Sequence, residues 1–394
     1  MIKVTFLTGE YPPMQGGIAD HTAHLASQMT PLGIEPSILT SRRWADEPAM
    51  PGSPPTGAAP VWPVVSGWGR RCWRDVAAFL AQHRPDVLHI QYQAAAFDLG
   101  GWVNWLPWYL KQKRAPVKIV TTFHDLRVPY IFPKAGPFRR KSMLALAGHS
   151  DAVICTNRED QQAIGDRQPA CYHIPLGSNV EPCPPPHFSR TEWRARYGAD
   201  YNSLLLAYFG FLNHSKGGEE LIEALALLRQ QGIDAQLLLI GGEVGHVDAT
   251  NLAYARKVEA LIAELGLAEV VHRTGYVELA EVSANLLAAD AVVMPYRDGV
   301  SFRRTTLIAA LRHGCPVVST APPNPAIVPE IEPGENMLLA APHNALSLAE
   351  TIAALADNLP LRETLSYGAL KLGNQFEWPE IASQTAALYQ ILGE

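Results

Sequence analysis

The sequence predicts an α/β protein built from two doubly wound domains in tandem, and three observations carry that reading. Short apolar runs alternate with helical segments along the chain; the alternation stops at one proline-rich stretch and then restarts; and 394 residues are enough for two sizeable cores. Strands separated by helices form parallel βαβ units with right-handed crossovers.

In residues 1–180 the run IKVTFLT is the first strand, followed by Gly16-Gly17 and a helix near 18–31. PSILT is the next strand, and a helix over 71–83 leads into DVLHIQY. KIVTTFH and AVICTN follow with helices between them, and CYHIPLG closes the domain. The stretch 181–190, EPCPPPHFSR, continues neither helix nor strand and reads as a linker. Over 191–376 the strands SLLLAYFG, AQLLLIGG, VVHRTGY, AVVMPY and CPVVST alternate with helices such as 250–265 and 278–288. The tail 377–394 sets Trp378, Ile381, Leu388 and Ile391 at helical spacing, with Pro379 tolerated in a first turn, so a helix there is expected to pack back on the first domain. Ligands of open α/β sheets bind beyond the carboxyl ends of the strands, so two facing sheets are expected to hold the chemistry in a cleft.

Composition excludes several function classes. With 47% hydrophobic and 18% charged residues the chain is ordinary globular material. A net charge of -6 and a pI near 6.1 argue against a general nucleic-acid binder, which needs a basic face. The five cysteines form no CxxC pair and lack zinc spacing, so neither a metal knuckle nor a disulfide framework is expected, and a reducing cytoplasm fits. The opening MIKVTFLTGEYPP is too short an apolar run for a signal segment and reads as a strand, and no run approaches the ~20 apolar residues of a membrane span.

Candidate site residues stand at the strand ends. In LLLAYFGFLNHSKGGEELIEALALL an apolar strand turns through Ser215-Lys216-Gly217-Gly218 into an amphipathic helix. Backbone N–H groups at a helix N-terminus carry partial positive charge and Lys216 adds a full one, which suits a phosphate; a plain surface turn is the alternative. Gly16-Gly17 is either a ligand contact or a tight turn. It is not GxGxxG and has no acidic ribose ligand about twenty residues on, so NAD binding is rejected. His124, at a strand's carboxyl end, can bond a sugar hydroxyl or carry a proton near neutral pH, with Asp125 to orient it or bind an acceptor hydroxyl; a structural histidine is the alternative. The segment Asp298-Gly299-Val300-Ser301-Phe302-Arg303-Arg304 opens a helix with Ser301 as expected N-cap. Two arginines in a first helical turn oppose the macrodipole unless an anion sits there, and bidentate contacts to a diphosphate reverse that sign. Local pairing to Asp298 is the competing reading.

Taken as a set, EYPPMQGGIADH, TTFHD, IPLGSNV, FGFLNHSKGGEELIEAL, HRTGYV, AADAVVMPYRDG, HGCPVVST and FEWPEIA resemble glycosyltransferase family 4, retaining enzymes of GT-B architecture, over the whole chain and in order. That resemblance implies a nucleoside-diphosphate sugar as co-substrate, most readily UDP- or GDP-linked, with no cofactor and no metal. It implies that Gly16 and Gly17 approach the donor diphosphate and sugar, that His124 contacts the sugar, and that Lys216 neutralises the departing diphosphate. It places Phe211 on the phosphate strand and gives the base to Arg273 through Val277, with Tyr276 between. It wraps the sugar and phosphates in Gly299 to Phe302, beside Asp298, and sets Glu10, His21 and Asp125 on the acceptor side. His124, Lys216 and Arg303 are then the catalytic group.

Two departures stand out. The arginine that most of the family carries in G-R-L is replaced in Gly210-Phe211-Leu212, and the E-x7-E glutamates fall on Ser301 and Ala309. Arg303 or Arg304 is expected to replace the missing arginine. A sugar-nucleotide-binding protein without catalysis, or a GT-B phosphorylase or epimerase, is the alternative activity.

On the acceptor side, expected to take a glycan or lipid-linked hydroxyl, Trp102, Trp105 and Trp108 read as core packing or as a sugar-stacking platform. PKAGPFRRKSMLALAG, with Arg139, Arg140 and Lys141, is either a solvated helix end or a contact with an anionic bilayer. The expected location is cytoplasmic, with peripheral contact to the inner membrane face.

Overall fold

A computed structural model describes residues 1–14, 16–46, 59–126, 136–165, 170–241 and 249–393. Gln15 lies outside these, and the side chain of Arg139 lies outside the described side chains. The chain forms two compact units, Met1–Gly177 with Glu377–Glu394, and Ser178–Phe376.

The first unit runs β1 (Ile2–Thr8), α1 (Gly17–Ser27), β2 (Ile34–Ser41), β3 (Val61–Val65), α2 (Cys72–His83), β4 (Val87–Tyr92), α3 (Leu106–Gln112), β5 (Lys118–Phe123), α4 (Gly136–His149), β6 (Ala152–Cys155), α5 (Arg158–Ile164) and β7 (Cys171–His173). Its strands form one parallel sheet in the order β3-β2-β1-β4-β5-β6-β7. The reversal of strand order beside β1 is the topological switch point where such sheets bind ligands. β4 is buried along its whole length, as a central strand covered on both faces must be. β3 escapes the periodicity argument because Pro63 interrupts it, and it survives as an edge strand.

The second unit runs α6 (Arg190–Ala195), β8 (Leu204–Phe209), α7 (Gly218–Gln230), β9 (Ala235–Ile240), α8 (Ala249–Glu264), β10 (Val271–Arg273), α9 (Leu279–Ala288), β11 (Ala291–Met294), α10 (Thr305–Arg312), β12 (Val317–Thr320), β13 (Leu338–Ala340), α11 (Ala345–Ala353) and α12 (Leu359–Gly373). Its sheet is also parallel, in the order β10-β9-β8-β11-β12-β13, with the switch point between β8 and β11. Asp290, just before β11, gathers Arg194 at 2.7 Å, Arg190 at 2.8 Å and Arg362 at 3.0 Å, and accepts from Leu205 N at 2.8 Å, which ties the amino ends of β8 and β11 to α6 and α12.

The proline-rich stretch 181–190 belongs to the second unit: Cys183 N donates to Ser283 Oγ at 2.9 Å, and Arg312 pairs with Glu181 at 2.9 Å. The tail forms α13 (Trp378–Gly393), which completes the core of the first unit: Trp378, Ile381 and Tyr389 pack with Val4, Phe6 and Ile38. A Cβ at Gly177 would stand 2.4 Å from the Trp378 ring, so the close approach of the two requires glycine.

Candidate functional site

In the second unit β8 ends at Phe209, the chain crosses Gly210 at φ +117° and a short turn, His214–Lys216, delivers Lys216. Gly217 then takes the left-handed conformation, φ 69°, ψ 37°, and packs so tightly on the end of β11 that a Cβ would stand 2.0 Å from Pro295 O. That turn starts α7. Lys216 folds back over Gly210, where an added Cβ would meet Lys216 Nζ at 3.1 Å and Thr306 Cγ2 at 3.2 Å. The ammonium, the Gly210 backbone and the first turn of α10 therefore converge.

Burial, and then the neighbouring Arg304 guanidinium, lower the Lys216 pKa to about 8. Arg304 lies over the Tyr296 ring, 3.9 Å from its centroid, and pairs with Asp298. The Lys216 ammonium and the Arg304 guanidinium, the latter already paired with Asp298, thus stand beside the N-termini of α7 and α10, where an anion would relieve the cost of desolvating Lys216.

The expected cap is corrected here. Arg304, at φ −105°, ψ 103°, is the N-cap residue of α10, and Ser301 Oγ instead accepts from Arg303 N at 3.4 Å. The two arginines thus precede the helix rather than occupy its first turn, because Phe302 is drawn into the core against Phe376, with ring centroids 5.1 Å apart. Of the pair, Arg304 is the one beside Lys216; Arg303 is half-buried. Gly299, at φ +79°, is forced by its approach to Pro322, Val300 is buried with its N–H bonded to Thr320 O at 3.0 Å, and Ala309 is fully buried on α10.

Elsewhere along these strand ends Phe211 is exposed, and its carbonyl accepts from Tyr208 at 3.0 Å. Gly241 and Gly275 form an isolated bridge beyond β9 and β10, with Gly241 N donating to Thr274 Oγ1 at 3.2 Å. Tyr276 is exposed and Val277 half-buried, while the Arg273 guanidinium is taken by Glu259 at 2.9 and 2.5 Å. Arg297 reaches Glu220 at 2.7 Å and Glu219 at 3.0 Å, and its own N–H bonds Ser215 O at 2.9 Å. Those contacts pin the Lys216 turn to the end of β11.

In the first unit α1 starts at the switch point. The Glu10 carboxylate fills the space beside Gly16, where a Cβ would lie 2.0 Å from Oε2, whereas a Cβ on Gly17 would meet nothing within 4 Å. Burial, and secondarily the charge of Asp20, raise the Glu10 pKa. His21 is buried, its ring edge-on to His124 at 4.6 Å and to Trp378 at 5.2 Å.

A buried chain of hydrogen bonds fixes His124. Gln91 Nε2, which can only donate, reaches His89 Nε2 at 3.3 Å, so that nitrogen is the acceptor; Thr122 Oγ1 stands 2.7 Å from it. His89 Nδ1 therefore carries the proton, facing Tyr389 OH of α13 at 2.6 Å. Gln91 Oε1 must accept, so His124 donates through Nε2 at 2.8 Å and its Nδ1 is left as an acceptor.

One sequence expectation changes as a result. His124 takes up no second proton near neutral pH and stays uncharged: burial, and then His89, lower its pKa to about 3. Gln91 holds its ring through Nε2, and Asp125, next in sequence, is half-buried. Sequence reasoning missed Gln91 and His89, although two polar residues at i and i+2 on one face of an apolar strand are a signal for a buried network. It also missed Arg297, which only the tertiary fold brings to Glu219 and Glu220. The core reading of the tryptophans changes too, since Trp102 and Trp108 are exposed while Trp105 is half-buried.

Comparisons with known proteins agree with this architecture. The profile for glycosyl transferases group 1 matches residues 189–372, and that for the glycosyl transferase 4-like domain matches residues 16–170. A D-inositol 3-phosphate glycosyltransferase from Arthrobacter sp. (strain FB24) is 25% identical over 98% of this chain and 94% of its own length, and one from Pseudarthrobacter chlorophenolicus is 26% identical over the same shares. Sucrose-phosphate synthase from Thermosynechococcus elongatus superimposes with a TM-score of 0.77 at 21% identity, covering 100% of this chain and 99% of that one. Anabaena HepE, solved in complex with UDP and glucose, gives a TM-score of 0.73 at 18% identity over 99% of this chain and 100% of its own. Two Rossmann-like sheets, one profile on each unit and relatives aligned end to end lead to one conclusion: the chain belongs to glycosyltransferase family 4 and is a glycosyltransferase of GT-B fold.

Proposed function

We propose that the protein moves a sugar from a nucleoside-diphosphate sugar, UDP- or GDP-linked, to a hydroxyl of an envelope glycan, glycolipid or small molecule, with retention at the anomeric carbon. The observation that carries this reading is the convergence of Lys216 Nζ, Arg304 and the N-terminus of α10 at Gly210. The solved HepE complexes with UDP and with UDP-glucose lend it support.

In the proposed step the bond between the anomeric carbon and the diphosphate oxygen breaks, and its electron pair leaves with the diphosphate. The acceptor oxygen attacks from the same face and its proton passes to the departing diphosphate. Lys216 and Arg304 meet the charge that develops on that leaving group, the term that contributes most in a water-poor site. These two cations and the helix N-termini take the part a divalent metal plays elsewhere. His124, neutral and with Nδ1 as acceptor, receives a hydrogen bond from a sugar hydroxyl. With Ser301 and Ala309 at the places of the family's glutamates, the ribose and sugar hydroxyls need other partners, so donor identity is a property of this chain rather than of the family.

The test is release of nucleoside diphosphate from UDP- and GDP-sugars with and without a panel of hydroxyl acceptors, followed by proton NMR of the product's anomeric centre. Acceptor-dependent release with retained configuration supports the proposal. Release that ignores the acceptor, or binding without release across the panel, contradicts it.

A further inference from the structure

The helical layer formed by α2, α3 and α4 carries an aromatic cluster at its surface that no step of the proposed chemistry uses. Trp73 on α2 stacks on Tyr109 of α3 at 5.2 Å, stands edge-on to Trp102 at 5.5 Å and to Trp108 at 6.4 Å, and its Nε1 donates to Trp102 O at 2.8 Å. Trp102 and Trp108 are 43% and 39% exposed, which is costly for indole rings facing water alone.

Basic side chains surround these rings. Arg70, Arg71 and Arg74 are exposed at the start of α2, and Lys111, Lys113 and Arg114 at the end of α3, with Lys113 Nζ 5.9 Å from the Tyr109 centroid. Arg140 and Lys141 are exposed on α4, which Asn104 fastens to the Trp102–Trp108 segment through Ser142 at 2.8 Å. Carboxylates are turned away or neutralised: Asp75 accepts from Ser66 N at 2.8 Å, and Asp151 pairs with Lys111 at 3.3 Å. In a chain of net charge -6 this is a pronounced local reversal of sign.

Indole rings favour the headgroup level of a bilayer, and arginine and lysine around them favour an anionic leaflet. We propose that the α2–α3–α4 face docks the protein on an anionic lipid surface, with Trp102 and Trp108 entering the headgroup region and the cations of α2, α3 and α4 facing lipid phosphates. Docking uses none of the donor-site residues and holds whether or not the proposed donor chemistry does; it would deliver the enzyme to acceptors presented at a membrane.

Cosedimentation of the full-length protein, without nucleotide, with phosphatidylglycerol/phosphatidylcholine vesicles at 0.1 M salt tests this, using pure phosphatidylcholine vesicles as the reference. Wild type is expected to sediment with the anionic vesicles only. Arg70→Glu/Arg74→Glu, Arg140→Glu/Lys141→Glu and Trp102→Ala/Trp108→Ala are each expected to lower partitioning, by about 25-fold or more for the charge reversals at roughly fivefold per positive charge removed. Arg256→Glu/Lys371→Glu, on exposed positions of the second unit, is expected to change it little. Thermal unfolding of every variant serves as the folding control, and UDP-induced thermal shift measures the donor site separately. Wild type left in the supernatant, equal binding to both vesicle types, undiminished binding by the face variants, or an equal loss in the second-unit control overturns the proposal. So does capture by a soluble polyanion with no vesicle binding.

Discussion

The Lys216 ammonium and the Arg304 guanidinium stand beside each other at the carboxyl ends of the second sheet, one delivered by the turn after β8 and the other by the cap of α10. The Lys216 charge is not free of cost. Burial and Arg304 together hold Lys216 near a pKa of about 8, against 10.5 for an unperturbed lysine.

This depression makes stability depend on pH in a stated direction. Between about 8 and 10.5 the unfolded chain holds a proton that the folded chain has lost, so stability rises with pH across that window and the full penalty is present below it. Lys216→Met should therefore stabilise the ligand-free protein at pH 7, by up to about 3 kcal/mol, and the advantage should shrink toward pH 10. Urea unfolding of both proteins at several pH values checks this; a gap that does not vary with pH contradicts it.

Gly217→Ala places a methyl group in a left-handed turn and against Pro295 O at once. The expected loss is about 2 kcal/mol or more, together with weakened donor binding because the Lys216 turn must shift. Denaturation midpoints and UDP-induced thermal shift measure the two effects. A variant with wild-type values in both would show that the turn is not held by that contact.

The histidines of the first unit predict acid sensitivity. His89 and His124 are lowered to about 3 and His21 well below its ordinary value of 6.5, with burial as the leading cause in each. The unfolded chain takes up these protons below about 6.5 while the folded chain refuses them, so stability is fully present above that pH and falls progressively toward pH 3. The slope of stability against pH between 6 and 4 should approach about three protons for this cluster, before carboxylate contributions. His89→Gln should reduce that slope, and an unchanged slope would count against a neutral buried cluster.

Tyr389 reaches the His124 chain from the far end of the sequence. Tyr389→Phe keeps the packing and removes the hydroxyl that faces His89 Nδ1–H at 2.6 Å, leaving a buried donor unsatisfied at a cost of about 1–3 kcal/mol. Loss of that anchor should also lower turnover, because the tautomer that leaves His124 Nδ1 as acceptor is no longer enforced. Unfolding midpoints and initial rates with saturating donor check the pair; full stability and full turnover would contradict the network.

Most of the architecture was legible because long apolar strands and amphipathic helices obey simple periods, as in IKVTFLT, LLLAYFG and the helix after Lys216. β3 and β13 were not, one interrupted by Pro63 and the other only three residues long, since short edge strands depend on their neighbours more than on their own pattern. At the site, Lys216 stood out through the strand–turn–helix grammar around it. What the sequence could not reveal was partnership: that Arg304 rather than Ser301 occupies the N-cap position of α10, that Gln91 orients His124, and that Arg297 spans two glutamates. Each depends on residues that only folding brings together.

Calorimetric titration of UDP and of GDP into wild type, Lys216→Ala and Arg304→Ala tests the central claim most directly. The diphosphate-clamp account predicts that wild type binds one of the two nucleotides and that each substitution weakens that binding at least about tenfold, in line with the loss of a charge-assisted contact. Equal affinity in all three proteins, or no binding of either nucleotide by wild type, would contradict it.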